Sequence, residues 1–402
     1  MLNIILFDSD ARNHLLPLTA TRPMGELRIG LLTIAEKWER RLRASVSYIT
    51  QEYLQEKYPI RIEDENLIVN AGILPDDAIC QRIESLQLNE ALLTPEGDLI
   101  AARISESQIE SLIDDEEIRE LNGTNLHANF PFLCINNLWD LTRYNDKAIA
   151  ADYELLTRGR TSQPISDTNR VLGTQIFLEE GVKMEMCILN ATTGPIYIGK
   201  NAEIMEGSIL RGAIGIGQGA IVKMGAKIYG PTTIGPNCRV GGEISRSILL
   251  ANSNKAHDGY LGDSVLGEWC NLGADTNNSN LKNNYSEVKL WDYESEKFEK
   301  TGLQFVGLIM GDHSKCAINT MFNTGTVVGV AANIYGAGFP RNFIPDFSWG
   351  GPDSPYRTYK FTDACETASL VMARRNQEFT ELDKAVFYHI YDQTARFRSW
   401  EK

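Results

Sequence analysis

The sequence predicts an α/β Rossmann-like N-terminal domain, a left-handed parallel β-helix after it, and a short helical C-terminal tail. Three observations carry this. Eight aliphatic residues, Ile198, Ile204, Leu210, Ile216, Val222, Ile228, Ile234 and Val240, fall at intervals of six. That spacing belongs neither to a helix nor to an ordinary strand, and it is the mark of a hexapeptide-repeat solenoid. Before it, short apolar strands alternate with a helical pattern. After it, two apolar-periodic segments close the chain.

The N-terminal elements read in order. Asn3–Phe7 is a buried strand, and Gly25–Leu42 carries Leu27, Leu31, Ile34 and Trp38 at helical spacing. Val46–Ile49 and Leu67–Val69 are further strands, so strand, helix and strand suggest a parallel sheet. Glu106–Leu121 reads as an acidic helix whose Asp-Asp-Glu-Glu run at 114–117 is a solvated face. A polar stretch, 157–169, reads as a linker, giving domains over 1–165, 173–340 and 341–402.

Within the repeat, three hexads make one coil of 18 residues. The aliphatic points into the prism. Small residues four places later (Ala202, Ser208, Ala220, Ala226, Thr232, Cys238) fit the corners. Gly199, Gly217, Gly235 and Gly241 are expected to supply positive φ at turns. Beyond residue 340, a helix capped by Thr362-Asp363 and a second starting near Thr380 are expected to cover the solenoid's end.

Composition excludes some classes. The formal net charge of −14 argues against a nucleic-acid partner, which requires a concentrated basic surface. No apolar run is long enough for a membrane span, and the start, MLNIILFDSD, lacks a basic leader. The seven cysteines contain no closely spaced pair, so no zinc or redox motif is expected and a reducing cytoplasm is the simple inference.

A second string runs Lys255-Ala-His257-Asp-Gly-Tyr260-Leu-Gly-Asp263, then Asn271-Leu-Gly-Ala-Asp-Thr276 and Asn280. The repeat resumes at Leu261, Leu266 and Leu272 after a long loop, which is expected to hold His257 and Tyr260 at the solenoid's edge. Histidine suits proton removal from an attacking amine near neutral pH, and an asparagine amide suits an oxyanion. Tyr260 and Asn271 are polar enough to hold a sugar.

This string resembles the acetyltransferase half of the bifunctional N-acetylglucosamine-1-phosphate uridylyltransferase family, and related archaeal sugar-1-phosphate nucleotidylyltransferases with a β-helix tail. The resemblance implies His257 as general base and Asn280 as oxyanion or base-orienting partner. It implies Tyr260 and Asn271 as sugar-phosphate contacts, and Lys255, Arg239 and Arg246 as candidates for the phosphate. Residues 310–330, including Asn319 and Thr320, resemble the last coils on which acetyl-CoA lies as co-substrate. A homotrimer with sites between prisms is implied, making an activated N-acetyl sugar of the kind cell envelopes consume. His313 is expected at the surface. The family's Gly-Ala-Gly-Thr is Gly-Ala-Asp-Thr here, and its Asn-Tyr-Asp is Asn280-Leu-Lys, so the acceptor sugar is open.

Sugar nucleotidyltransferases bind a nucleoside triphosphate on a glycine-rich loop ending Pro-Leu-Thr. Here Pro17-Leu-Thr19 remains and every loop glycine is gone; the usual metal-holding Gly-Asp reads Asn70-Ala-Gly72. The N-terminal domain therefore resembles a divergent nucleotidyltransferase of a type joined to such solenoids in Bacteroidetes. Arg12, Arg22 and Arg28 are candidate phosphate contacts, with Asp8 or Asp10 near Mg²⁺ if it is active. Three functional readings stand: acetyl plus nucleotidyl transfer; acetyl transfer with a non-catalytic first domain; and a non-enzymatic trimeric scaffold.

Overall fold

The computed structural model describes residues 2–113, 125–128 and 130–401. The chain divides into two compact units. The first holds residues 1–12, 22–27 and 32–136; the second holds 13–21, 28–31 and 137–402.

The first unit is a six-stranded sheet flanked by helices. Its strand order is Ser45–Ile49, Asn3–Phe7, Glu65–Asn70, Leu99–Ser105, Ala91–Leu93 and Asn125–His127. The first three strands are parallel, as expected; Leu99–Ser105 then runs antiparallel to both of its neighbours, so the sheet is mixed. Ile4, Ile5 and Leu6 are fully buried, which explains the unbroken apolar run of that strand. The first helix begins later than its periodicity suggested, at Ile34–Leu42. Thr33 and Glu36 form a capping box there, and Gly30, at φ 71°, breaks the chain before it. Trp38 is fully buried and donates to the carbonyl of Ile73. The acidic helix is described over Glu106–Ile113, and the run at 114–117 lies outside the described residues.

The second unit is a parallel β-solenoid with three faces of six, nine and ten strands. All eight hexad aliphatics and all six small residues are buried. Like stacks on like: Ile198 on Ile216 on Ile234, Ile204 on Val222 on Val240, and Leu210 on Ile228 on Ile244. The glycines after the aliphatics have a different cause from the one expected. None of Gly199, Gly217, Gly235 or Gly241 has positive φ; that conformation falls on Asn201, Gly219 and Asn237 instead. Crowding explains them. A Cβ on Gly217 would lie 2.6 Å from the backbone N of Pro236, and one on Gly235 only 1.7 Å from the carbonyl oxygen of Leu250.

Residues 163–169 are laid on the first coils, with Gln163 and Asn169 bonded to the backbone of Leu178, Val182 and Met184. The helix Leu138–Thr157 also belongs to this unit, where Asn145 and Asp152 accept from the backbone N–H groups of Gly30 and Leu31. One coil is interrupted by the antiparallel hairpin of Lys289–Asp292 and Lys297–Lys300. The last coils end on Ser348–Gly351 and Ser354–Thr358. Two helices follow. Phe361–Ala373 starts directly after Lys360 without a side-chain cap, not at Thr362-Asp363, whereas Glu381–Gln393 has the expected Thr380 cap, boxed with Asp383. Phe387 of the second helix packs edge-on against Phe347 and His313. His313 is therefore buried, stacked on Trp269, and is not the surface residue expected. All seven cysteines are free thiols, and Cys187, Cys238, Cys270 and Cys316 are buried along the solenoid.

Candidate functional site

The string around His257 spans two corners of the prism. Asn254–Lys255 ends one face, 256–259 turn the corner, and Tyr260–Gly262 forms the next face before the chain turns again at Asp263. A short corner, not a long loop, presents His257; the long insertion comes later, at the hairpin. The His257 ring is exposed and, among the described residues, no hydrogen bond is recorded for it.

Lys255 holds that corner from inside. It occupies the inward position that Val240 fills one coil earlier and is only 1 % exposed. Its ammonium donates to the carbonyls of His257 (2.6 Å), Asp258 (3.2 Å) and Gly241 (3.3 Å). Its donors are thus spent on backbone, and the phosphate contact expected of it is replaced by support of the His257 turn. Burial pushes its pKa down to about 8, against partial compensation from Asp258. Between about pH 8 and the unfolded value of 10.5, the unfolded chain carries a proton that the folded chain has shed. Stability from this group therefore rises with pH across that window. The melting temperature of the native chain relative to Lys255→Met should climb between pH 8 and about pH 9.5; a flat difference would refute the assignment.

At the other end of the strand, Asp263 is a hub. Arg246 donates to both its oxygens through Nε and Nη2, each at 2.7 Å, and Asn280 Nδ2 donates to it at 2.5 Å. The same amide donates to the Tyr260 hydroxyl at 3.0 Å. Both amide hydrogens of Asn280 are thus committed, while the Tyr260 hydroxyl accepts one bond and keeps its own hydrogen to give. Bonding to Asp263 raises the Arg246 pKa, and burial followed by the Asp263 charge raises that of Tyr260. Phe305 lies against the Arg246 guanidinium, 5.2 Å from ring centroid to Cζ. Asp263→Asn keeps the residue's left-handed backbone (φ 48°) accessible but turns one acceptor into a donor facing Arg246. A loss of about 1–3 kcal/mol, read as a lower urea midpoint at unchanged slope, is expected.

The remaining solenoid residues separate from this cluster. Arg239, Asn254, Asn271 and Lys315 form a ladder in register on another face. Asn271 accepts from Asn254 at 3.4 Å. Asn319 is exposed at a positive-φ corner; Thr320 is buried with its hydroxyl donating to the carbonyl of Ala317, so that hydroxyl is not presented to a ligand. No hydrogen bond joins His257 to Asn280. Asp263 as hub escaped the sequence reading, although Arg211, Tyr229, Arg246, Asp263 and Asn280 recur every 17 or 18 residues, one coil apart.

In the first unit, Asp8 accepts from the backbone N–H of Met24 at 2.8 Å and from Thr50 Oγ1 at 2.6 Å, with Arg12 at 3.4 Å. Burial raises its pKa above the usual carboxylate value. Arg12 is buried and donates to the Tyr53 hydroxyl; Arg22 is buried as well. Asp10 opens a short 3-10 turn and is exposed, and Asn70 accepts from the backbone N–H of Gly72. No group of three metal-ligating side chains exists among the described residues. These residues do not fit a resident Mg²⁺: each Asp8 oxygen already accepts a hydrogen bond, and a guanidinium stands beside it. Arg28, expected as a phosphate contact, is placed in the second unit and donates to the carbonyls of Leu250 and Leu31.

Residues 4–161 match the family model described as sugar nucleotidyl transferase. The bifunctional protein GlmU of Methanocaldococcus jannaschii is 37% identical over 87 residues, covering 22% of this chain and 21% of that one. Over those residues the chain is similar to GlmU. The GlmU of Synechococcus elongatus is 26% identical over 196 residues (46% of this chain, 39% of the relative). That of Wigglesworthia glossinidia brevipalpis is 24% identical over 257 residues (59% and 50%). The matched stretches thus span at most about half the length of these GlmU relatives. A solved structure titled as LpxA, a UDP-N-acetylglucosamine acyltransferase from Bacteroides fragilis, is 13% identical, covering 57% of this chain and 96% of that one at a TM-score of 0.29, a likeness too loose to argue from.

Proposed function

We propose that the chain is a sugar-phosphate transferase whose solenoid moves an acetyl group from acetyl-CoA to the amine of an amino-sugar phosphate, with nucleotidyl transfer to a sugar-1-phosphate as the task of the N-terminal unit. The observation that carries the reading is the His257 corner, an unengaged imidazole held from beneath by Lys255, just before the strand that bears Tyr260. The substrate nitrogen attacks the thioester carbon; an N–C bond forms and the C–S bond breaks. His257 takes the nitrogen's proton and passes it to the departing sulfur, so CoA leaves as the thiol. The free hydrogen of Tyr260 is placed to donate to the oxyanion or to a sugar hydroxyl. Asn280 orients Tyr260, and Arg246, fixed by Asp263, keeps N–H groups for phosphate.

A homotrimer belongs to this reading. Asn280 bonds to Tyr260 and Asp263 and not to His257, so in this reading a neighbouring copy completes the surroundings of the imidazole. Ile188 and Ile209, at 40% and 42% exposure, stack in register on the same face, and Val171, Leu172 and Met186 are exposed beside them. Sedimentation equilibrium should give three chains; a monomer active in acetyl transfer would sink this part. Among the described residues no helix is long and apolar enough to cross a membrane. With seven unpaired thiols, we place the chain in a reducing cytoplasm.

The whole reading is tested by CoA thiol release from acetyl-CoA with glucosamine-1-phosphate or its nucleotide conjugate; no release with either ends it. A second reading, acetyl transfer alone, is favoured by the engaged Asp8 carboxylate and the absent glycine loop. Pyrophosphate release from a nucleoside triphosphate and a sugar-1-phosphate decides between them.

A further inference from the structure

One cavity lies in the second unit, along the corner that carries Arg246. It measures about 440 Å³ and is lined by Thr193, Arg211, Tyr229, Ser245, Arg246 and, from the helix Leu138–Thr157, Asp146. That volume falls within the roughly 300–1,000 Å³ of small-ligand sites. Arg211, Tyr229 and Ser245 are stacked in register on successive coils, and Arg246 follows Ser245 directly. Since rungs of a sheet are about 4.8 Å apart, the two arginines are offset by roughly 10 Å, with the tyrosine between them.

The two cations differ. Arg246 is clamped by Asp263 and Phe305 through one edge, leaving Nη1 unspent. Arg211 is exposed, and among the described residues no ion pair or hydrogen bond is recorded for its side chain. Tyr229 is 41% exposed, and its ring stacks on no other aromatic among the described residues. A sugar monophosphate can be held at Arg246 alone, which leaves Arg211 and the Tyr229 face for a further anionic group and a planar ring. Two forks on either side of an open aromatic face fit two linked phosphates and a base. Asp146 accepts from the backbone N–H of Lys147 with one oxygen. Its charge at the rim suits ribose hydroxyls and opposes a third phosphate.

We propose that this cavity binds the diphosphate of a nucleoside diphosphate sugar, so that the acetyl acceptor is a nucleotide-linked amino sugar rather than an amino-sugar-1-phosphate. Arg246 is shared between the cavity and the Asp263–Asn280–Tyr260 cluster, which places the sugar at the cluster and the nucleotide toward Arg211. Nucleotidyl transfer to an amino-sugar phosphate is then the class of reaction that supplies the substrate. The inference rests on the acyl-transfer reading for what happens to the sugar, and not for the binding itself.

The test has two arms, both on the full chain. In equilibrium dialysis with UDP, GDP and dTDP, Arg211→Ala and Tyr229→Ala should each weaken the tightest-binding diphosphate at least tenfold, with an unchanged melting temperature. Unchanged affinity in both variants overturns the proposal. In thiol-release assays, the amino-sugar conjugate of that nucleotide should be preferred to glucosamine-1-phosphate, and Arg211→Ala should raise KM about tenfold for the conjugate alone. Release with the monophosphate only, indifferent to Arg211→Ala, overturns the proposal while leaving acetyl transfer standing. No release with either acceptor, but Arg211-dependent dialysis, upholds the cavity and removes the acyl-transfer reading.

Discussion

His257→Ala is expected to lower kcat/KM for acetyl transfer by about 10²- to 10⁴-fold, the usual contribution of a positioned general base. The melting temperature should stay within a degree or so, because the ring is exposed and spends no hydrogen bond in the fold. The pairing of a large kinetic loss with a silent thermal scan is the informative outcome. A merely structural histidine gives the reverse. His257→Gln, which keeps a polar group but cannot shuttle a proton near neutral pH, should be as poor as alanine. Near-native activity in either variant would remove proton transfer from this corner.

Gly235→Ala should produce the largest loss of stability. The added methyl would stand 1.7 Å from the Leu250 carbonyl oxygen, a backbone atom that cannot rotate away. The neighbouring coil must lift, and the bond from Gly235 N to the Leu249 carbonyl (2.9 Å) lifts with it. A cost of about 3 kcal/mol or more is expected, and a melting temperature lower by roughly 5–10 °C. Gly225→Ala is the control. Gly225 has φ 66° and open space where a Cβ would go, so only left-handed backbone strain of about 1–2 kcal/mol applies. Equal effects would mean that backbone conformation rather than inter-coil crowding selects these glycines.

That contrast shows what a sequence discloses of a solenoid. The period-six aliphatics place the prism directly, because each must fill the same interior slot and nothing else competes for it. The reason for the glycines is not legible, since the obstructing atom belongs to a residue 15 or 19 positions away, on the next coil. In the first unit, alternating strand and helix patterns reveal the parallel core around Asn3–Phe7. The reversal at Leu99–Ser105 has no local signature, because a strand buried on both faces reads alike in either direction.

The site divides the same way. Histidine, tyrosine and asparagine types announce themselves, while the roles of Lys255 and Arg28 depend on which way long side chains turn. Lys255 has the composition of a phosphate ligand and the position of a core valine. Asp263 and Arg211 could be found only by counting in steps of one coil rather than one hexad. The resemblance implies Asp8 or Asp10 near a metal; the Asp8 oxygens accept from Met24 and Thr50.

The buried thiols along the solenoid have a practical corollary. Each coil touches only its neighbours, so such stacks need not come apart all at once. Cys187 sits near the start of the column and Cys316 near its end, with Cys238 and Cys270 between. Pulse alkylation in rising urea, followed by peptide mapping, would therefore act as a set of four clocks and reveal from which terminus the prism unzips.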